Sequence, residues 1–172
     1  MRTQLDTRDS AALLVQRLLL ALVIGAHGLQ KAFGWFGGYG FDGTMRFFTE
    51  TLHVPAPLAL LVILGETLGA LGLAVGLGTR VAAAGVTTIM TGAIVLVHAP
   101  YGFFMNWGGN LGGEGFELHI LALAASTPLI FRGAGAYSID RLLASRKVRF
   151  FVPALFRGTA RLAEARDEHG VS

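Results

Sequence analysis

The chain contains no cysteine. Disulfide exchange, thiolate metal ligation, iron–sulfur clusters and persulfide chemistry on the protein itself are therefore excluded. Charge is scarce too. Asp, Glu, Lys and Arg make up 15% of the 172 residues against 53% hydrophobic, which places the chain outside the usual soluble range. A nucleotide-binding glycine motif following a strand is also missing, so any electron donor has to come from a partner or a bound cofactor. No clear small-residue cleavage site follows the first apolar run, and Arg17 interrupts it. That run is read as an uncleaved first helix.

What the chain has is apolar length. A hydrocarbon core of about 30 Å needs roughly 17 to 25 residues per crossing, and the sequence accommodates four such runs with short connections. The expected fold is all-α: an integral membrane four-helix bundle with an amphipathic C-terminal extension. Residues 1–10 form a polar N-terminus, 11–131 the transmembrane domain and 132–172 a basic tail. Asp9 or Ser10 caps a first span over about 11–32, where Arg17 either reaches back to headgroups or pairs with an acid. A glycine- and aromatic-rich connection follows, with a short amphipathic piece around Met45 to Leu52. Pro55 and Pro57 open span two, about 57–77, in which Gly65, Gly69, Gly72 and Gly76 give small-residue spacings for close helix approach. Span three begins near Arg80, with a packing face expected along Ala84, Thr88 and Gly92, and ends at His98. Span four runs from about 114 to 131, with Glu114, Glu117 and His119 in its first two turns.

Basic residues near the span ends predict the orientation. Arg2, Arg8, Arg80, Arg132, Arg141, Arg146, Lys147 and Arg149 fall on one side and only Lys31 and Arg46 on the other. Both termini are therefore expected in the cytoplasm, with the chain in the inner (plasma) membrane. The tail from 138 alternates basic residues with Ile139, Leu142, Leu143, Phe150 and Phe151, and is expected to lie on anionic lipid without contributing to the core. The pI of 9.8 comes mostly from this tail. Lipid is the expected partner and nucleic acid is not.

The polar residues of the spans are few and concentrated. His27, Gln30 and Lys31 share a helix face, which either meets the water interface, with Trp35 and Tyr39 as belt aromatics, or forms one wall of a ligand site. The orientation gathers His27, Gln30, Lys31, His98, Glu117 and His119 in the outer half of the bundle, with Glu66 below them near mid-depth. An ionised acid there costs about 2.5 to 3.5 kcal/mol unless it is protonated, paired or wet. Glu117 and His119 diverge by about 200° on a helix, so they cannot both face the bundle axis. The expected catalytic set is Glu66, His27 and His98. The expected ligand-binding set is Gln30, Lys31, Trp35, Trp107, Glu117 and His119. No metal site is assigned. A weak internal echo also runs through the chain: a helix with His27, a glycine-aromatic loop and a helix with Glu66, then a helix with His98, a similar loop and a helix with Glu117.

The early Arg17, the segment HGLQKAFG, the glutamate in GETLGALGLAVGLGTR and the polar opening GFELHILAL together resemble the DoxX family of small four-helix membrane proteins. The resemblance covers about residues 14–131. It implies a membrane component associated with oxidoreductases, including quinone-linked oxidation of reduced sulfur and complexes that handle oxidative stress. The tail after 132 departs from the family pattern.

Four functions remain open at this level. A quinone-linked oxidoreductase accessory would use Phe33, Trp35, Phe103, Phe104 and Trp107 as ring walls and His27, His98, Glu66 and Glu117 as proton groups. A small-solute transporter or binding component would use the same site, with four spans calling for a homo-oligomer. A metal or haem site could draw on His27, His98, His119 and the acids. An assembly factor would use none of them.

Overall fold

In a computed structural model, residues 10–145 are described, and the described residues are helical with no strand among them. The expectations for residues 1–9 and for the amphipathic tail from 146 onward lie outside the described residues. Helix α1, Ala11–Phe33, begins where Ser10 accepts the Leu13 N–H at 3.4 Å. It ends at Gly34, whose φ of 73° lets its N–H return to the Gln30 carbonyl. A short helix α2, Gly40–Arg46, runs on through a π turn over Phe47–Thr51, matching the amphipathic piece expected there. Helix α3, Ala56–Val75, opens with prolines in and just before its first turn and closes at Gly76. Helix α4, Thr79–Ala93, passes into a π-helical turn over Ile94–His98 and a 3-10 turn over Ala99–Tyr101. Helix α5 is Glu117–Arg132, with Pro128 inside it.

Helix α1 packs chiefly on α3 and α4 on α5, while α3 meets α4 and α5 returns to α1. Leu20, Ile24, Leu73, Val86 and Leu129 fill the centre. Leu19, Leu22, Leu61, Leu68, Leu71, Val81, Val95 and Leu121 point outward, so the helices are apolar on both sides. That arrangement suits a hydrocarbon solvent. Three helices, Ala11–Phe33, Ala56–Val75 and Thr79–Tyr101, are long and apolar enough to cross a membrane, and α5 with 16 residues is shorter.

Several packing expectations need correction. The inner face of α4 is Thr79, Ala83, Val86 and Met90 with Thr87 beside them, whereas Ala84 and Thr88 are exposed and a Cβ on Gly92 would meet nothing within 4 Å. Of the α3 glycines, Gly69 also faces open space. The closest helix approach is made by Gly28 of α1, where an added Cβ would lie 2.5 Å from the Glu66 carbonyl oxygen and 2.8 Å from the Thr67 nitrogen. Small residues at one position and not at its neighbours set this crossing.

Arg17 is fully buried, not at an interface. Its guanidinium donates to the Leu73 and Ala74 carbonyls at 2.7 Å and to the Ala136 and Tyr137 carbonyls at 3.3 and 3.1 Å. These are backbone partners, so neither headgroup contact nor a direct carboxylate pair accounts for it. Residues 133–140, assigned to the tail from sequence, fold back over this end, with Ala134, Ala136, Ser138 and Asp140 buried. Asp140 accepts the Gly78 and Thr79 N–H groups at 2.8 and 3.0 Å and caps the start of α4 from 61 residues away.

Candidate functional site

The Gly28 crossing brings two opposite charges together. Lys31 lies one turn beyond Gly28, and its Nζ sits 2.5 Å from Oε2 of Glu66 on α3. The Glu66 side chain is 3% exposed and that of Lys31 26%. A carboxylate at this depth, among apolar helices, is tolerable because its charge is matched and hydrogen-bonded at contact distance. The predicted inward position of Glu66 is what the structure shows, and its direct partner is Lys31, not a histidine.

Three imidazoles lie within electrostatic reach of the pair or of one another. His27, one turn before Lys31, is half-buried, lies within electrostatic reach of Lys31, Glu66 and His98, and has the Gln30 side chain as a hydrogen-bonding neighbour. Gln30 also donates to the Phe36 carbonyl at 3.4 Å, tying the end of α1 to the following turn. His98 closes the π turn at the end of α4, and its ring centroid lies 4.1 Å from that of His119 in the first turn of α5. His119 is 9% exposed and lies within electrostatic reach of His98, His27 and Lys31. Helices α1, α3 and α5 and the π-helical extension of α4 thus each contribute to one polar cluster. A π turn is a common device for aiming a side chain that a regular helix would misplace.

The other predicted residues stand elsewhere. Glu114 is in the loop before α5, not in the first turns of that helix as expected. Its carboxylate accepts the Asn106 N–H at 2.7 Å, and its carbonyl meets His98 Nδ1 at 2.8 Å. Glu117 accepts the Met105 N–H at 3.3 Å. The two acids therefore brace the 102–116 loop and connect it to His98. Trp35 is 56% exposed and Trp107 87%, so both rings face outward. Phe33 and Phe104 are likewise exposed.

An apolar groove of about 790 Å³ lies along the α1–α3 seam, lined by residues such as Leu18, Gly25, Phe33, Leu64, Thr67 and Leu71. By helical rotation its α1 residues lie on the opposite side of the helix from His27 and Lys31, so the groove and the polar cluster are separate features. Among the described residues no three His, Asp or Glu side chains are grouped to hold a metal ion.

Gly28, and with it the crossing that makes Lys31 the partner of Glu66, is what sequence reasoning missed. The signal was present as a small residue one turn before a lysine on an apolar helix, a pattern that lets a neighbouring helix bring an acid within reach of the cation.

Comparison with known proteins agrees with this architecture. The family model for DoxX matches residues 12–99, which include Arg17, His27, Gly28, Lys31, Glu66 and His98. Inner membrane protein YqjF of Escherichia coli (strain K12) is 30% identical over 135 residues, covering 78% of this chain and 94% of that protein. No solved structure matches the chain. With half of its length under the family model and a relative aligned over most of both chains, the protein belongs to the DoxX family of membrane proteins.

Proposed function

We propose that the chain is a four-helix bundle of the inner membrane with both termini in the cytoplasm, and that it serves as the membrane subunit or accessory of a quinone-linked oxidoreductase system. The observation that carries this reading is the Lys31–Glu66 pair, held inside apolar helices beside His27, His98 and His119. A structural pair needs no histidines around it. Quinone reduction takes up protons together with electrons, and a site for it needs hydrogen-bonding groups on the ring oxygens and a local proton reservoir. Imidazole rings beside a paired acid and ammonium are groups that can bond the ring oxygens and relay protons. Electrons come from a partner oxidoreductase, which the outer aromatic loops around Trp35 and Trp107 are free to meet.

The test is reconstitution with quinone and a reduced partner fraction. Glu66→Gln keeps volume and hydrogen bonding but removes the acid. Quinone-linked turnover is expected to fall about tenfold or more, the scale of losing one positioned proton group. Unchanged turnover in Glu66→Gln would refute the role. Orientation is tested separately by an impermeant thiol reagent, which should reach cysteines introduced at 42 and 110 from outside and one at 80 only from inside.

A further inference from the structure

One atom of the polar cluster has no partner among the described residues. His119 Nδ1 is buried and makes no hydrogen bond to any of them. The residue is nine-tenths buried, at the start of α5, with its ring against His98. The neighbouring ring is differently placed, since His98 Nδ1 is engaged by the Glu114 carbonyl at 2.8 Å. Burying an imidazole nitrogen without a partner costs about 1–3 kcal/mol, a cost folds avoid unless something from outside the chain fills the bond.

The charges around this atom restrict what can bind. Lys31 and Glu66 neutralise one another at contact distance. An anion entering here finds no free cation, and a cation finds no free carboxylate; either would be desolvated without compensation. An uncharged carbonyl or hydroxyl group loses far less on leaving water and can give or take the one bond that His119 Nδ1 lacks. The partly exposed Lys31 and half-buried His98 leave the cluster open at its edge.

We infer that His119 Nδ1 is the ligand-facing atom of a subsite for uncharged carbonyl or hydroxyl compounds, with a quinone ring oxygen as the substrate atom. The assignment of the oxygen to a quinone rests on the function proposed above; the assignment of the atom and of the charge class does not.

Detergent-purified protein is titrated calorimetrically with menadione, with its anionic naphthoquinone sulfonate counterpart and with phenol, while the His119 Nδ1 resonance is followed by nitrogen-15 NMR. Menadione is expected to shift that resonance and to bind about tenfold more tightly than the sulfonate. His119→Phe is expected to weaken menadione binding about tenfold, one buried hydrogen bond. His119→Asn, whose amide stands close to the Nδ1 position, should recover most of the loss. Should His119→Phe fail to fold, the resonance shift in the unaltered protein and the Asn variant still decide. If phenol moves the resonance and menadione does not, the quinone reading falls and the subsite stands. If the sulfonate binds as tightly as menadione, if His119→Phe binds normally, or if no probe moves Nδ1, the inference is overturned.

Discussion

Gly28→Ala puts one methyl group at the point where α1 meets α3. Its Cβ would stand 2.5 Å from the Glu66 carbonyl oxygen, 2.6 Å from the carbonyl carbon and 2.8 Å from the Thr67 nitrogen. These are backbone atoms of a regular helix, so no side chain can rotate away. Non-bonded carbon contacts settle near 3.5 Å, and the helices must part by about 1 Å. Overpacking of this kind costs about 1–3 kcal/mol, and a clash with backbone belongs at the upper end. The same separation stretches the Lys31–Glu66 bond from 2.5 Å and leaves a buried carboxylate poorly matched. The expected outcome is a loss of about 3–5 kcal/mol in detergent unfolding, at the scale of breaking a buried pair. Site-resolved amine labelling should show Lys31 more reactive as well. Gly69→Ala is the control, because a Cβ there meets nothing within 4 Å. It should be neutral or stabilise by up to about 1 kcal/mol through helix propensity. A Gly28→Ala protein within about 0.5 kcal/mol of the parent, with unchanged Lys31 labelling, would refute the crossing as described.

Lys31→Met and Glu66→Gln should each destabilise, Lys31→Met by about 3 kcal/mol because it strands the carboxylate, while the double variant recovers part of the loss; purely additive values from chemical unfolding would count against a direct pair. Arg17→Met leaves the Ala74, Ala136 and Tyr137 carbonyls without their donor and should cost about 2–5 kcal/mol, with Arg17→Lys intermediate, both read by thermal unfolding in detergent. A chain ending at 137 loses the Asp140 cap on Gly78 and Thr79 and should be about 1–3 kcal/mol less stable than one ending at 145; equal stability would show the cap to be idle.

Apolar run length and terminal chemistry were readable directly. Ser10 and the prolines at the start of α3 mark helix ends because each solves a local backbone problem that its neighbours cannot alter. The inward position of Glu66 was readable for a similar reason, since few alternatives exist for an acid at that depth. Packing faces were not readable in the same way. In a helix that is apolar all round, periodicity does not separate lipid from protein, so Ala84, Thr88 and Gly92 looked as plausible a seam as Ala83, Val86 and Met90. Glu114 was placed in a helix because polar residues at a helix start look alike whether they cap the helix or brace the preceding loop. Arg17 was misjudged because its partners are carbonyls, and every residue has one. Residues 133–140 were grouped with the basic tail by composition, although Asp140 within them caps a helix start far away in sequence.

The buried guanidinium of Arg17 also sets an order of assembly. Its acceptors at Leu73 and Ala74 are synthesised early, but those at Ala136 and Tyr137 and the Asp140 cap on α4 arrive only when most of the chain has been made. A chain that stops before residue 136 leaves the guanidinium with its Leu73 and Ala74 acceptors alone and the first N–H groups of α4 without the Asp140 carboxylate. A product that stops short of residue 140 therefore carries, at one end of its helices, an unfinished joint that marks it as incomplete.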